Sequence, residues 1–229
     1  MPLSKIWYLR RANIFSHLTK QEMEWMDGVS VMRGYRRHDL IFTPNDRGDK
    51  VFLLKKGRVK VFKLSDGGRE LTLAILEPGE IFGEDALVDA ERRSTFAEAL
   101  DDTYICVIKR EDFEEILKNK PEIALQFTKL VGERLKDVQA RMEELTFRSV
   151  PARLARVLLR LADEHSLTTD RGPKIDLKLT HQELANLIGS TRETTTSALN
   201  RFRKGGLIDV EKRQIVILSP EGLKKASDG

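Results

Sequence analysis

The sequence predicts an α+β fold: an N-terminal antiparallel β-roll or sandwich, one long helix, and a C-terminal winged helix-turn-helix. Three observations predict it. Between about Val29 and Lys109, short apolar runs alternate with glycine-bearing turns, as in antiparallel all-β architectures. From Thr128 to Leu145, apolar positions recur at a 3-4-3-4 spacing, which a helix gathers onto one face. Beyond Pro151, two helix-start signals bracket Gly189 at the spacing of a helix-turn-helix. Of the 229 residues, 40% are hydrophobic and 33% charged, enough apolar material for a core and too much for a wholly disordered chain.

Taken in order, residues 6–27 read as short helices. Thr19-Lys20-Gln21-Glu22 has capping-box spacing, and Met23, Trp25 and Met26 supply an apolar face. The strand-like runs follow: Val51–Leu54, Val59–Phe62, Leu71–Ile75 and Thr103–Ile108. Gly34, Gly48, Gly57, Asp66-Gly67-Gly68 and Glu77-Pro78-Gly79 punctuate them. Cys106 lies within the last run and reads as a small core residue. Glu111–Lys118 is a short helix, and Pro121 suits the first turn of the long one.

In that helix Thr128, Val131, Leu135, Val138, Met142 and Leu145 form an a/d seam. Ile123, Phe127, Leu130 and Arg134 occupy the opposite flank. Two occupied faces imply two partners, so one face is expected on the roll and the seam on a second copy of the chain. Phe147–Pro151 is the expected hinge, because proline disfavours helix for the residue before it. An amphipathic helix, 152–163, follows with Leu154, Val157, Leu158 and Leu161 on one face. Residues 165–173 read as a polar loop, and 175–179 as a short alternating strand.

Charge divides the chain. Residues 149–229 hold 14 Lys/Arg and 10 Asp/Glu, whereas residues 1–148 hold 26 of each, so the whole net charge of +4 sits in the last third. A neutral body with a basic end implies a polyanionic partner at that end. One cysteine excludes an intramolecular disulfide and a Cys-ligated zinc or iron–sulfur centre. His17, His38, His165 and His181 are scattered without metal-ligand spacing. No apolar run approaches the ~20 residues of a membrane helix, and no apolar segment follows Lys5, Arg10 and Arg11 as in a signal peptide. A cytoplasmic protein without a metal, a membrane partner or an enzymatic activity is expected.

The basic end carries two further capping-box patterns, Thr180-His181-Gln182-Glu183 and Ser190-Thr191-Arg192-Glu193. They start helices over 182–188 and 191–203. Thr195, Ala198, Leu199 and Phe202 are expected inward, and Arg192, Thr196, Asn200, Arg201 and Lys204 outward. Residues 204–210 and 214–218 read as a two-stranded wing. A second helix of this kind enters the major groove N-terminus first. There Arg192 can donate two hydrogen bonds to guanine, and Glu193 can either accept from cytosine or cap its own helix. Thr180, Gln182, Thr191, Thr196, Ser197 and Lys204 complete the expected DNA-facing set, with Thr191, Lys204 and the first-turn amides on phosphates.

Three stretches in this order resemble the Crp/Fnr (cyclic-AMP receptor protein) family over about residues 10–220. Phe82-Gly83-Glu84-Asp85-Ala86-Leu87 with Arg92-Arg93-Ser94-Thr95 is similar to the phosphate-binding cassette of cyclic-nucleotide domains; the seam helix resembles the dimer helix; and 184–189 with Thr191-Arg192-Glu193-Thr194 resembles the recognition segment. The resemblance implies a sensor domain at 1–120, a dimerisation helix at 121–148 and a DNA-binding domain at 149–229. It implies a homodimer (Val131, Leu135, Val138, Met142, Leu145) on a palindromic double-stranded operator, with a cyclic nucleotide such as cyclic AMP as effector. Arg93 would neutralise the cyclic phosphate, which suits a planar charged fork. Ser94 would donate to it, Glu84 would accept from the ribose 2′-hydroxyl, and Gly83 would admit the backbone. Arg134 is available to Glu84 or the ligand. RNA polymerase is the further partner implied, through the exposed 164–174 segment.

Two departures qualify it. Val138 and Gln139 stand where cyclic-AMP-responsive members carry adjacent Thr and Ser, so Gln139 is left to bond a base edge. Ser197 stands where the family often carries a second base-reading Arg, which predicts an altered half-site. A ligand-independent regulator of the same fold is the alternative. A roll-fold metalloenzyme fused to a helix-turn-helix would need more histidine than His38 in the roll.

Overall fold

The structure, a computed structural model, describes residues 19–88, 91–211 and 213–228. The helices expected before Thr19, and the Glu22 side chain that would complete the first capping box, lie outside the described residues. The chain forms two compact units. The first takes the described residues up to Lys63 together with Thr72–Leu135; the second takes Leu64–Leu71 and the chain from Lys136 onward.

Helix α1 (Lys20–Val29) leads into strands β1 (Ser30–Tyr35), β2 (Leu40–Phe42), β3 (Lys50–Lys56), β4 (Val59–Leu64), β5 (Glu70–Leu76), β6 (Ile81–Phe82), β7 (Phe96–Ala99) and β8 (Thr103–Lys109). They form two four-stranded sheets, ordered β1-β8-β3-β6 and β2-β7-β4-β5. The α+β architecture with an antiparallel N-terminal roll is therefore the observed one.

Alternation decides where the core lies. On β3, Val51 and Leu53 point into one apolar cluster, and Phe52 and Leu54 into another; on β8, Cys106 and Ile108 join the first cluster, and Ile105 and Val107 the second. Successive strand residues face opposite sides, so a sheet buried on both faces reads as a continuous apolar run rather than an alternating one. That is why Val51–Leu54 and Tyr104–Ile108 carry so few polar residues.

The first cluster is closed by α2 (Arg110–Asn119) and by the start of α3 (Pro121–Phe147). Phe113, Ile116 and Ile123 are buried there, with Phe127 and Leu130 packed against them. Phe113 meets Phe127 edge-on at 5.4 Å. The other face of α3 is bare: Val131, Leu135, Val138, Met142 and Leu145 are 41–64% exposed.

In the second unit, α3 ends at Phe147 and α4 (Val150–His165) begins after Ser149, whose hydroxyl accepts from the Ala152 amide at 3.4 Å. Pro151 sits in the first turn of α4, where its missing N–H costs no hydrogen bond. Arg153 stitches the break, donating from Nε to the Ile188 carbonyl and from Nη1 to the Arg148 carbonyl, each at 3.0 Å. Leu154, Val157, Leu158 and Leu161 are all buried.

Three local expectations are corrected here. Residues 165–173 are not a loop but most of a hairpin, β9 (Ser166–Thr169) and β10 (Gly172–Ile175). The strand expected at 175–179 ends at Ile175. The wing, β11 (Ile208–Glu211) and β12 (Gln214–Ile217), is not two-stranded: β10 pairs with β12, giving a sheet ordered β11-β12-β10-β9. The cause is non-local. Gly172 has φ +122, and a Cβ there would lie 2.2 Å from the Ile217 carbonyl oxygen, so a close crossing of two distant segments sets the hairpin.

Candidate ligand pocket and nucleic-acid interface

The first unit brings the cassette residues together. Gly83 adopts the left-handed conformation, φ +75, and starts a short 3-10 helix over Glu84–Leu87. Arg93 is buried to 3% exposure. Its guanidinium lies over the Phe42 ring, 4.2 Å from the centroid, and 5.1 Å from that of Phe52. Phe42, Phe52 and Phe82 stack on one another. Arg93 Nη1 donates to Asp85 Oδ1 at 2.9 Å and to the Gly83 carbonyl at 3.3 Å, and Nη2 donates to the Lys50 carbonyl at 2.5 Å. Loss of hydration pulls the Arg93 pKa below the usual guanidinium range, and Asp85, Asp49 and Asp46 work in the opposite sense. One side of Arg93 lines a cavity of about 330 Å³ with Arg33, Tyr35, Arg47 and Lys50.

The other cassette members are placed as follows. Glu84 accepts from Arg134 Nη1, and Arg134 Nη2 donates to the Ile81 carbonyl, which ties α3 to the cassette. Ser94 is exposed, and its amide donates to Asp85 Oδ2 at 3.5 Å. Val138 and Gln139 belong to the second unit and are exposed on α3. Sequence reasoning singled out Gly83, Glu84, Arg93, Ser94 and Arg134 and gave Asp85 no role. The sequence offers only a carboxylate eight residues before Arg93 in the same cassette, which does not by itself pair them.

The second unit builds the helix-turn-helix from α5 (His181–Ile188) and α6 (Arg192–Lys204). Thr180 and Glu183 form a complete capping box: the Glu183 amide donates to Thr180 Oγ1 at 3.2 Å, and the Thr180 amide to Glu183 Oε2 at 2.6 Å. Gly189, at φ +60, ends α5, and a Cβ there would come 2.9 Å from Leu145 Cδ2. The capping box expected at Ser190/Glu193 is not formed. Thr191 is the N-cap and accepts from the Thr194 amide at 3.2 Å. Thr194 therefore holds the position where a box needs Glu or Gln, and Glu193 is exposed and spared from capping.

The inward set is buried as expected: Thr195, Ala198, Leu199 and Phe202. Arg192, Ser197, Asn200, Arg201 and Lys204 are exposed. Thr196 is half-buried, its hydroxyl 2.8 Å from His181 Nδ1, and Gln182 Nε2 donates to the buried Asn186 at 2.8 Å. The first contact ties α6 to α5, and the second lies within α5. Arg203, by contrast, pairs with Asp209 at 3.4 Å; Arg171 pairs with Asp209 and Glu211, and Lys174 with Glu211. Part of the basic excess is thus spent inside the wing. Of what stays outward, Arg192, Arg201 and Lys204 lie on α6.

Among the described residues, no group of three or more His, Cys, Asp or Glu is placed to hold a metal ion. Among them, too, no helix is long and apolar enough to cross a membrane.

Residues 32–120 match the family model described as Cyclic nucleotide-binding domain, and residues 152–226 that described as Crp-like helix-turn-helix domain. The chain is 32% identical to the Global nitrogen regulator of Synechocystis sp. over 197 residues, covering 85% of this chain and 88% of that one. It is 31% identical to the Cyclic AMP receptor protein of Thermus thermophilus over 215 residues, covering 92% and 96%. Among solved structures, a CooA mutant from Carboxydothermus hydrogenoformans superimposes with a TM-score of 0.76 at 31% identity, covering 89% of this chain and 90% of that one.

Proposed function

The chain belongs to the Crp/Fnr family of transcription regulators, and from that membership we propose that it is a homodimeric, sequence-specific DNA-binding activator. Its effector is a small molecule held in the β-roll, a cyclic nucleotide such as cyclic AMP. The observation that carries the DNA reading is the first turn of α6. Thr191 does the capping, so Arg192 and Glu193 are exposed with no internal duty, side by side at the end of a helix-turn-helix that enters the major groove. A bidentate Arg–guanine pair is worth about 1–3 kcal/mol of discrimination. Thr191 and Ser197 lie within about a turn of the reading pair and Lys204 at the far end of α6, Thr180 and Gln182 order α5, and Thr196 ties α6 to His181 of α5.

The bare seam of α3 supports the homodimer. Five apolar side chains at heptad spacing are left in water by a single chain, and burying them against the same face of a second copy removes that cost. Two recognition helices then address a palindrome one helical turn apart. The effector acts by population shift, favouring the dimer in which that spacing is met, and only to the extent that it binds that dimer better. The exposed β9–β10 hairpin is the surface offered to RNA polymerase. A cytoplasmic location goes with this reading.

DNA selection from a random pool, with and without cyclic AMP and cyclic GMP, tests the reading. A two-fold symmetric site, recovered more strongly with one nucleotide, is expected. Failure to enrich any symmetric site would refute the DNA reading. Equal enrichment in all three pools would refute the effector.

A further inference from the structure

The cassette residue without an assigned role is Asp85, and its position is specific. Its two carboxylate oxygens sit on two different donors: Oδ1 on Arg93 Nη1 at 2.9 Å, and Oδ2 on the Ser94 backbone N–H at 3.5 Å. These belong to the pair of residues through which the cassette would hold a cyclic phosphate. In this arrangement Arg93 uses three of its five N–H donors inside the fold, both of those on Nη1 and one on Nη2. Its side chain is 1% exposed, its two terminal nitrogens are bonded to Asp85, Gly83 and Lys50, and its face is covered by Phe42. The carboxylate itself is about one-third exposed, so its bond to Arg93 is reachable from solvent.

We propose that Asp85 is an internal anion that occupies the phosphate position of the cassette, so that a nucleotide phosphate binds only by displacing it. The inference rests on the reading of the roll as a cyclic-nucleotide pocket and adds the residue that sets its affinity. The physics is a competition between two anions for one cation. A charged hydrogen bond to a buried guanidinium is among the stronger polar interactions in a protein, and an arginine whose charge is already paired with a carboxylate gains less from a second anion. A second like charge brought beside Asp85 is repelled by it. The ligand-free chain is thereby stable with its arginine neutralised, and entry of a phosphate requires Asp85 to swing outward into water. Gly83 is needed in this arrangement, because a Cβ there would stand 2.9 Å from Arg93 Nη1.

The test is calorimetric titration of the full-length protein with cyclic AMP and with cyclic GMP, for the wild type, Asp85→Asn and Asp85→Leu. Thermal melts of wild type, Asp85→Asn, Arg93→Leu and the double variant accompany it. Removing the charge is expected to tighten binding of one nucleotide at least ~10-fold. It is also expected to lower the ligand-free melting temperature, with the loss recovered on adding that nucleotide. The melts are expected to show the two substitutions strongly non-additive, as for residues in direct contact. Equal affinity in wild type and both Asp85 variants would overturn the proposal and leave the pocket reading intact. Additive melts would overturn it as well, since Asp85 would then not be the partner of Arg93. If no variant binds either nucleotide, the pocket reading itself falls and the proposal with it.

Discussion

Gly83 is where fold and pocket meet most closely, and Gly83→Ala separates the two costs of a side chain there. The backbone cost comes from φ +75, a left-handed conformation worth roughly 1–2 kcal/mol against an L-residue. The packing cost comes from a Cβ 2.8 Å from Phe52 Cδ2 and 2.9 Å from Arg93 Nη1. Neither neighbour yields readily: Phe52 is clasped between Phe42 and Phe82, with ring centroids 5.4 and 5.1 Å away, and Nη1 is bonded to Asp85. Overpacking of this kind costs about 1–3 kcal/mol. The total expected is therefore about 2–5 kcal/mol. Gly68 supplies the control, because its φ of +73 is nearly the same and nothing lies within 4 Å of its Cβ position. Gly68→Ala should lose only the backbone part, about 1–2 kcal/mol. Urea unfolding followed by circular dichroism, on both variants side by side, measures the difference. If Gly83→Ala is no more destabilising than Gly68→Ala, the packing argument around Arg93 is wrong.

Three further outcomes are expected. Arg192→Ala should relax base preference at one symmetric position of each half-site, by about 1–3 kcal/mol; an unchanged consensus after DNA selection would remove Arg192 from the reading role. Leu135→Glu with Met142→Glu should give a monomer in sedimentation equilibrium, since like charges would face each other across the seam; a persistent dimer would place the interface elsewhere. Glu98→Gln probes an ion pair inside the roll. Burial works against the Glu98 carboxylate, but hydrogen bonds from His38 and Lys60 outweigh it and hold the pKa below 4.5. A depressed carboxylate contributes stability above its unfolded pKa that is lost as pH falls through the folded one. Glu98→Gln should therefore cost about 2–3 kcal/mol at pH 7, because it leaves the largely buried Lys60 without its carboxylate. The gap to wild type should narrow as pH falls from the ordinary carboxylate range through the lower folded pKa of Glu98; a gap that does not change with pH would contradict the charge argument.

Much of the architecture was legible in the sequence because it rests on local patterns. The seam from Val131 to Leu145, the break at Arg148-Ser149, and the inward face Thr195, Ala198, Leu199 and Phe202 are all periodicities of one segment. A helix puts residues three and four apart together whatever surrounds it. Capping was readable to within one residue: the box at Thr180/Glu183 formed, whereas at the next helix Thr191 displaced Ser190 and freed Glu193. A start shifted by one position changes which side chain faces the cap, and spacing alone does not choose between adjacent hydroxyl residues.

What the tertiary structure alone decided involves partners far apart in the chain. The β9–β10 hairpin depends on β12, more than forty residues on, and on the crossing of Gly172 over Ile217. The capture of Arg203, Arg171 and Lys174 by wing carboxylates subtracts from a basic excess that composition counts in full. Above all, the sequence marked Arg93 as a phosphate ligand from its place beside Ser94. It could not reveal that Asp85 already holds both of those residues. Sequence pattern determines which groups are present and on which face of their own element they lie. Whether a buried charge meets its counter-ion inside the fold depends on distances set by non-local packing.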